Sequence, residues 1–311
     1  MGDSSEAGIA VGIDAGASKT LGLLVDRSGA VVDRAVSGGA NIRSVGLASA
    51  ERNLSEVLGR LLSGGHVRAL CVGAAGIDRP SDRDSFERLL ATSIPAHVTV
   101  ALRHDAQIAL RAATAVRPAV IVVAGTGSLV WGERRDGTGI RAGGYGALIG
   151  DDGSAYTMGL AAVHHAARVL DGAESAGALS AAVIESLGTR TVNDIIAKVH
   201  RWPPDVARIA SLAALVHDAY VTRDVTATHI VDGQGHLLAD CLEAAVRSIQ
   251  GVAQTPLPIV LSGGAFTAVP ELANVLTARA ERIGGCEVCH LRDEPVVGAV
   301  LCALELAAGE D

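Results

Sequence analysis

The chain has 311 residues, of which 49% are hydrophobic, 19% are charged and only 2% are aromatic, and its formal net charge is −8. This length is above the size at which one core usually divides, so we expect two domains with cores of Ala, Val, Leu and Ile. The acidic balance, without a basic run, argues against a nucleic-acid partner. No charge-free apolar stretch approaches the length of a membrane span, so we expect no membrane partner.

The cysteines and the first residues indicate a reduced, cytoplasmic protein. The five cysteines are an odd number without a secreted context, and residues 1–8 lack the basic and apolar regions of a signal peptide. The run Cys286-Glu287-Val288-Cys289-His290 has the spacing of a c-type haem attachment sequence, whose chemistry needs export. It also alternates like a strand, which would place Cys286 and Cys289 on opposite faces, so we expect neither haem nor zinc there.

The first half of the chain predicts three strands followed by alternating helices and strands. The three strands lie within residues 8–37 and are joined by short turns. The sequence Ser81-Asp82-Arg83-Asp84 resembles a capping box that would open a helix. At Arg117-Pro118 the pattern restarts, and we place a domain boundary there. After the three strands, the predicted elements are a helix at 47–62, a strand at 67–72, a helix at 81–90, a strand at 98–102 and a helix at 105–116.

The second half repeats the initial hairpin and is then mostly helical. Its hairpin strands are predicted at 119–124 and 129–131, and Thr191-Val192-Asn193-Asp194 is another possible capping box. Strands that alternate with helices indicate α/β layers with mixed sheets. The later elements are helices at 152–170, 175–187, 192–199, 204–221 and 229–250, a strand at 258–261, a helix from about 270, a strand at 287–291 and a helix at 295–307.

Each half begins with an apolar run that breaks into a glycine loop closed by hydroxyl residues. The loops are Asp14-Ala15-Gly16-Ala17-Ser18-Lys19-Thr20 and Ala124-Gly125-Thr126-Gly127-Ser128. Glycines let backbone N–H groups approach an anion, and hydroxyls add donors. A P-loop needs a glycine directly before the lysine and a helix afterwards, and a Rossmann fingerprint also opens a helix, whereas a strand follows here. One such loop alone is more often an ordinary hairpin bend, but the pair favours binding of nucleotide phosphates.

The loops and four further segments resemble the BadF/BadG group of the actin-like ATPase superfamily, in particular its N-acetylglucosamine kinases. The chain departs from that pattern at Ala15-Gly16-Ala17-Ser18, where the family has Gly-Gly-Gly-Thr, and at Tyr145, which is often Trp. The further segments are Gly73-Ala74-Ala75-Gly76-Ile77-Asp78-Arg79-Pro80, His104-Asp105-Ala106, Gly143-Gly144-Tyr145-Gly146-Ala147-Leu148-Ile149-Gly150-Asp151-Asp152-Gly153-Ser154 and Leu261-Ser262-Gly263-Gly264.

The resemblance implies a duplicated ribonuclease H-like fold with a ligand cleft between two domains. Each domain would contain a mixed five-stranded sheet flanked by helices. The N-terminal domain would comprise 1–116, joined by the C-terminal helix at 294–311, and the C-terminal domain would comprise 117–293. The implied reaction is ATP-dependent phosphorylation of the 6-hydroxyl of N-acetylglucosamine, with Mg²⁺, by a homodimer.

Three alternatives to this function stay open. The same reaction on glucosamine or N-acetylmuramic acid differs only at C2 or C3 of the sugar. An ATPase activator of a dehydratase would need cysteines that share an iron–sulfur cluster across a dimer, yet Cys71 lies in a predicted strand, and Cys241 and Cys302 lie in predicted helices. A nonenzymatic sugar sensor would have no use for a base and a metal carboxylate together.

Asp105 is the expected general base because it follows a strand and opens a helix, whose N-terminus favours an ionised carboxylate. A plain N-cap aspartate is its alternative interpretation, and the adjacent His104 is expected to be structural because neighbouring side chains face different ways.

Asp14 is expected to hold Mg²⁺ through water, or else to be a turn aspartate. The resemblance assigns the phosphate contacts to Gly16, Ser18, Lys19, Thr20, Thr126, Gly127 and Ser128, and the adenosine pocket to Gly263 and Gly264. It assigns the sugar contacts to Asn41, Gly76, Asp105, Gly127, Tyr145 and Asp151.

Overall fold

The computed structural model describes residues 8–64, 66–199, 205–249 and 256–309. These residues divide into two compact units. Unit 1 comprises the described parts of Met1–Ala115 and Leu291–Asp311, and unit 2 comprises those of Val116–His290. Each unit holds one five-stranded mixed sheet flanked by helices, which confirms the predicted fold class. The proposed domain limits at 116 and 293 stay predictions.

In chain order the elements are β1 Ala10–Ala15, β2 Lys19–Val25, β3 Val31–Gly38, α1 Ile42–Val45, α2 Leu47–Leu61, β4 Ala69–Ala74, α3 Pro80–Ser93, β5 Thr99–His104, α4 Asp105–Ala113, β6 Ala119–Ala124, β7 Ser128–Glu133, β8 Gly139–Ala142, α5 Ala155–Leu170, α6 Ala178–Leu187, α7 Val192–Val199, α8 Val206–Ser211, α9 Ala213–Val221, α10 Val225–Ile249, β9 Leu257–Ser262, α11 Ala265–Ala268, α12 Glu271–Ile283, β10 Cys286–His290 and α13 Pro295–Ala308.

The two sheets have the same strand arrangement. In unit 1 the order is β3-β2-β1-β4-β5, and in unit 2 it is β8-β7-β6-β9-β10. In each case three antiparallel strands are followed by two strands that run parallel to the third. The central strands β1, β4 and β6 are nearly continuous apolar runs because helices cover both of their faces. The edge strand β3 instead contains polar as well as apolar residues, and most of it is exposed.

Two helical layers enclose the sheet of unit 1. On one face, α2 and α3 pack against β1 and β4 through a cluster that includes Ile13, Leu54 and Phe86. On the other face, α4 and α13 contribute Ile108 and Val296 to a second cluster. The last helix of the chain therefore completes the core of the first unit. In unit 2, one continuous apolar cluster joins the sheet to the helices that surround it.

Most predicted elements are confirmed to within a few residues, but two helix boundaries differ. The predicted capping box at Ser81–Asp84 is wrong, because α3 starts at Pro80 and has no side-chain cap. Proline is suited to the first helical position, where its missing N–H costs nothing. The helix predicted at 204–221 is two helices, α8 and α9, and residue 204 lies outside the described residues. The box at Thr191 is present, since the hydroxyl oxygen of Thr191 accepts from the Asp194 N–H at 3.3 Å.

Two further findings concern the function classes weighed above. None of the described helices is long and apolar enough to cross a membrane. Cys286 and Cys289 lie in β10, three residues apart, and therefore on opposite faces of a strand, as predicted.

A close approach between α13 and α4 gives a test of the packing. A Cβ at Gly298 would lie 1.8 Å from the carbonyl oxygen of Ile108. We expect Gly298→Ala to lower the free energy of unfolding by about 1–3 kcal/mol, because the helices would have to separate. Gly59→Ala is the control: this exposed glycine of α2 has open space around it, so alanine should stabilise by about 0.5–1 kcal/mol. Urea denaturation measures both, and an unchanged midpoint for Gly298→Ala would contradict the packing.

Candidate active site

The carboxyl ends of three parallel strands lie side by side in unit 1. Ala15 of β1 pairs with Ala74 of β4, which pairs in turn with His104 of β5. Asp14 precedes Ala15, and Asp105 follows His104 as the first residue of α4. Ligands of α/β sheets gather outside such strand ends. The register therefore brings the predicted metal ligand and the predicted base to one sheet edge.

The carboxyl group of Asp14 has a higher pKa than an ordinary aspartate. Burial raises the pKa of its carboxyl group, and the negative charge of Asp105 raises it further, from 3.8 to about 6. Lys19 acts in the opposite direction, and Glu294 adds to the increase. Two carboxylates that repel each other in a partly desolvated place favour either a proton or a cation.

The surroundings of Asp14 fit a hydrated divalent cation. Within the described ranges, no group of three or more His, Cys, Asp or Glu side chains could ligate a metal directly. Mg²⁺ commonly binds proteins through one or two carboxylates and keeps several waters. A cation would also compensate the charge of Asp14 and its repulsion by Asp105. The water-mediated magnesium contact of Asp14 is compatible with this geometry and stays a prediction.

Asp105 is held from one side only. Its Oδ1 accepts a hydrogen bond from the Ala106 N–H at 2.8 Å and lies 2.7 Å from Nδ1 of His104. The structure shows no hydrogen bond from the described residues to its Oδ2. The N-cap of α4 is His104, whose backbone N–H donates to Oε1 of Gln107 at 2.9 Å. The interpretation of Asp105 as a plain N-cap residue is therefore wrong.

His104 was expected to point away from Asp105, and this expectation is wrong. His104 is still extended while Asp105 is helical, and the backbone turn between them brings both side chains together. The ring is buried, with 7% of its side chain exposed, and its Nε2 lies 3.0 Å from Oδ1 of Asp78. Burial lowers the pKa of His104, but the hydrogen bonds to Asp105 and Asp78 outweigh this and raise it to about 9. A pKa of about 9 means that the ring is protonated at neutral pH and carries a positive charge between the two carboxylates.

The sequence contained little sign of this Asp78–His104–Asp105 network. Asp78 and His104 are far apart along the chain and belong to no shared local motif. Their one common feature is that each follows or ends a parallel strand, β4 or β5, at the same sheet edge. Only the register of these strands could have indicated the contact.

Asn41 and Gly76, two predicted sugar-binding residues, lie together at the same end of unit 1. Asn41 is the N-cap of α1, and its Oδ1 accepts from the Arg43 N–H at 3.0 Å. A Cβ at Gly76 would lie 2.6 Å from that Oδ1, and Gly76 has a φ of +80°. Because Oδ1 serves the helix cap, the Asn41 amide NH₂ is the group that could donate to a ligand.

The hydroxyls of the two glycine loops fall into two kinds. Thr20 and Ser128 are equivalent by register, since they pair with Ala15 and Ala124 at the ends of β1 and β6. Both are buried: Thr20 donates to the carbonyl oxygen of Gly38 at 2.8 Å, and Ser128 donates to that of Asp152 at 2.7 Å. Both hydroxyls donate within their own unit, and the phosphate contacts predicted for Thr20 and Ser128 stay predictions. They tie each loop to its own unit.

The exposed hydroxyls are those at the loop tips, Ser18 and Thr126. Gly16, at the base of the first tip, donates its own N–H to the carbonyl oxygen of Lys19 at 3.0 Å. Nζ of Lys19 lies 3.5 Å from Oε1 of Glu294, and both side chains are about half exposed. An exposed ion pair of this length is weak, and the phosphate contact of Lys19 stays a prediction.

In unit 2, the buried carboxylate of Asp151 lies close to two other predicted ligand-binding residues, Gly127 and Tyr145. Asp151 accepts from the Gly146 N–H through Oδ1 at 2.7 Å, while a Cβ at Gly127 would lie 2.7 Å from its Oδ2. Burial raises the pKa of Asp151, against the lowering effects of the Gly146 hydrogen bond and of Arg141. Tyr145 precedes Gly146, and 61% of this residue is exposed. Asp151 thus links the phosphate loop to the glycine-rich segment that presents Tyr145.

Gly263 and Gly264 follow β9 beside the second phosphate loop. Gly263 has a φ of +114°, and a Cβ there would lie 2.2 Å from the carbonyl oxygen of Ala124, so only glycine fits. Gly264 is exposed, and a Cβ there would meet nothing within 4 Å. The open space at Gly264 is compatible with the close approach of a planar base, and the adenosine contact stays a prediction.

Comparison with known proteins identifies relatives along nearly the whole chain. A sequence profile described as the BadF/BadG/BcrA/BcrD ATPase family matches residues 11–303. An N-acetylmuramic acid/N-acetylglucosamine kinase of Clostridium acetobutylicum is 27% identical over 302 residues, which cover 94% of this chain and 97% of that protein. An N-acetyl-D-glucosamine kinase of Dictyostelium discoideum is 25% identical over 315 residues, which cover 95% and 98%. The solved structure of a candidate N-acetylglucosamine kinase from Chromobacterium violaceum has a TM-score of 0.75 at 25% identity and covers 94% of this chain and 98% of that one.

Replacement of Asp14 tests the electrostatics of the site without any ligand. The raised pKa of Asp14 contributes stability that is fully present below pH 3.8 and is lost as the pH rises through about 6. Asp14→Asn avoids this loss, so we expect it to be more stable than the parent protein above pH 6, by about 2 kcal/mol. Thermal melting across this pH range measures the difference, with Asp84→Asn, at an exposed aspartate of α3, as the control. Parallel pH profiles for Asp14→Asn and the parent would contradict the assignment.

Proposed function

Because the chain belongs to the BadF/BadG/BcrA/BcrD ATPase family, we propose that it transfers the γ-phosphoryl group of ATP to the 6-hydroxyl of N-acetylglucosamine. The observation that carries this proposal is the state of Asp105. Its carboxylate lies at the carboxyl ends of parallel strands, with Oδ1 engaged by two neighbours. Oδ2 is then the oxygen that can accept a proton from an alcohol. A family member that only hydrolysed ATP would need no such base for a sugar hydroxyl.

The transfer needs little covalent chemistry from the protein. The sugar O6 forms a bond to the γ-phosphorus while the bond from that phosphorus to the β–γ bridging oxygen breaks, and the O6 proton passes to Oδ2 of Asp105. ADP leaves with the bridging oxygen. Positioning and charge stabilisation supply most of the catalysis in such reactions. Mg²⁺, held near Asp14 through water, would neutralise charge on the phosphates.

The phosphate contacts are proposed for the loop tips. In unit 1 these are Ser18, Lys19 and the backbone around Gly16, and in unit 2 they are Thr126 and Gly127. The exposure of Ser18 and Thr126 supports this assignment. Gly263 and Gly264 would lie against the adenosine.

The sugar contacts are proposed for the polar groups that the two units hold near their strand ends: Asn41, Gly76 and Asp105 in unit 1, and Gly127, Tyr145 and Asp151 in unit 2. The Asn41 amide NH₂ can donate to a sugar oxygen, and Asp151 Oδ2 can accept from a sugar hydroxyl. The Clostridium acetobutylicum relative is named for N-acetylmuramic acid as well, so that sugar and glucosamine remain alternative acceptors. We also propose a cytoplasmic homodimer without nucleic-acid or membrane partners.

The base is tested by Asp105→Asn, with release of ADP measured for N-acetylglucosamine, glucosamine and N-acetylmuramic acid. The asparagine keeps the shape of the side chain but accepts no proton, so we expect kcat to fall by about 10²–10⁴-fold. Asp84→Asn, at an exposed position of α3, should retain the parental rate. Near-parental turnover of Asp105→Asn would refute the base assignment. If none of the three sugars stimulates ADP release by the parent protein, the kinase proposal itself fails.

The two kinds of hydroxyl are separated by Ser18→Ala and Thr20→Val. Ser18→Ala should raise the KM for ATP by about tenfold and leave the melting temperature unchanged, because it removes one hydrogen bond to a charged phosphate. Thr20→Val should lower the stability by about 1–3 kcal/mol, because it leaves the Gly38 carbonyl oxygen without its buried donor. Steady-state kinetics and thermal melting of both variants decide the matter. The reverse pattern would show that Thr20, not Ser18, contacts the phosphates.

A further inference from the structure

His104 has a geometry that its neighbours do not explain as packing alone. Its ring is almost completely buried at the end of β5, and each ring nitrogen faces a carboxylate. Buried side-chain nitrogens need polar partners, and in addition to the Ala106 N–H, which lies 3.2 Å from Nδ1, each ring nitrogen has a carboxylate oxygen within 3.0 Å. Nδ1 lies 2.7 Å from Oδ1 of Asp105, and Nε2 lies 3.0 Å from Oδ1 of Asp78. The second contact fixes the plane of the ring and hence the direction of the first.

We propose that His104 is a positioning residue for the phosphoryl transfer, which holds Asp105 with Oδ1 against its ring so that Oδ2 faces the acceptor hydroxyl. Asp78 acts one step further away by holding the ring. This inference rests on the proposed kinase function and adds a residue that acts through the base. It involves no bond to the substrate: the ring donates to Asp105 before and after the proton transfer.

The charge of His104 matters as well as its shape. The charge of Asp105 acts on Asp14, and the protonated ring, 2.7 Å from Oδ1 of Asp105, places a positive charge beside that carboxylate. The charged groups that face the ring are Asp105 on α4 and Asp78 after β4. Asp14 on β1 interacts with Asp105, and the guanidinium of Arg83 on α3 donates to the Leu102 carbonyl oxygen at 3.0 Å. The two acidic contacts keep the ring protonated through neutral pH. Above about pH 9 one of the carboxylates loses its donor.

Two substitutions separate the contribution of the contact from that of the charge. His104→Ala removes both. His104→Asn keeps a residue suited to the helix N-cap and an NH₂ donor near Asp105, but it carries no charge. Asp78→Asn leaves the histidine in place and removes one of the two carboxylates that raise its pKa. His97→Asn, at an exposed histidine shortly before β5, is the matched control.

The experiment measures kcat and both KM values with N-acetylglucosamine from pH 6 to pH 10. We expect kcat of the parent protein to fall above about pH 9. His104→Ala should lose about 10–100-fold in kcat, with both KM values within about threefold. His104→Asn should recover part of that loss and show no alkaline fall from this group. Asp78→Asn should move the fall to lower pH, and His97→Asn should match the parent.

The outcomes that overturn the inference are separate from those that overturn the kinase. An active parent protein whose alkaline fall persists unchanged in His104→Asn and Asp78→Asn would refute the role of His104 alone. So would a change confined to the KM values. A parent protein that phosphorylates none of the hexosamines would refute the proposed function and this inference with it. If His104→Ala does not fold, as thermal melting would reveal, the pH profiles of the other two variants still decide.

Discussion

The site in unit 1 depends on the register of three parallel strands. Ala15, Ala74 and His104 share one row of the hydrogen-bonded ladder, and the functional groups lie within a few residues of that row. A shift by one residue would turn every side chain of a strand to the opposite face. Asp14 would then lie on the wrong side of the sheet, and Asp105 would begin its helix one step away from Asp78. The geometry of the carboxylates is thus a consequence of how β1, β4 and β5 pair.

Hydrophobic burial on both faces is what fixes that register. β1 and β4 are apolar at nearly every position, and their residues are divided between the α2–α3 cluster and the α4–α13 cluster. The second layer includes the end of the chain. Because α4 begins with Asp105 and packs against α13 at Gly298, the last helix helps to hold the proposed base in position. A residue far from the strand ends in sequence is therefore part of what orients the site.

The sequence predicted those parts of the molecule that depend on local pattern. The hairpins, the alternation of helices and strands and the position of Asp105 between β5 and α4 all follow from periodicity and turn residues. It did not predict that Thr20 would bury its hydroxyl, because the acceptor, Gly38, lies on the neighbouring strand. The contact of His104 with Asp78 also joins separate elements, and short-range rules contain no information on such pairs.

The duplication makes the chemical difference between the units informative. Thr20 and Ser128 occupy equivalent positions in the two hairpins, and each hydroxyl donates to a backbone carbonyl oxygen of its own unit. The two hairpins can therefore be aligned residue by residue. In that alignment the partner of Asp14 is Val123, one residue before the end of β6. An apolar residue there cannot support a cation or repel a base. The acidic pair at the strand ends consequently belongs to unit 1, while unit 2 keeps the loop and adds Asp151 beside it. The two units therefore share a hairpin framework and differ in the charged groups that their central strands place at the sheet edge.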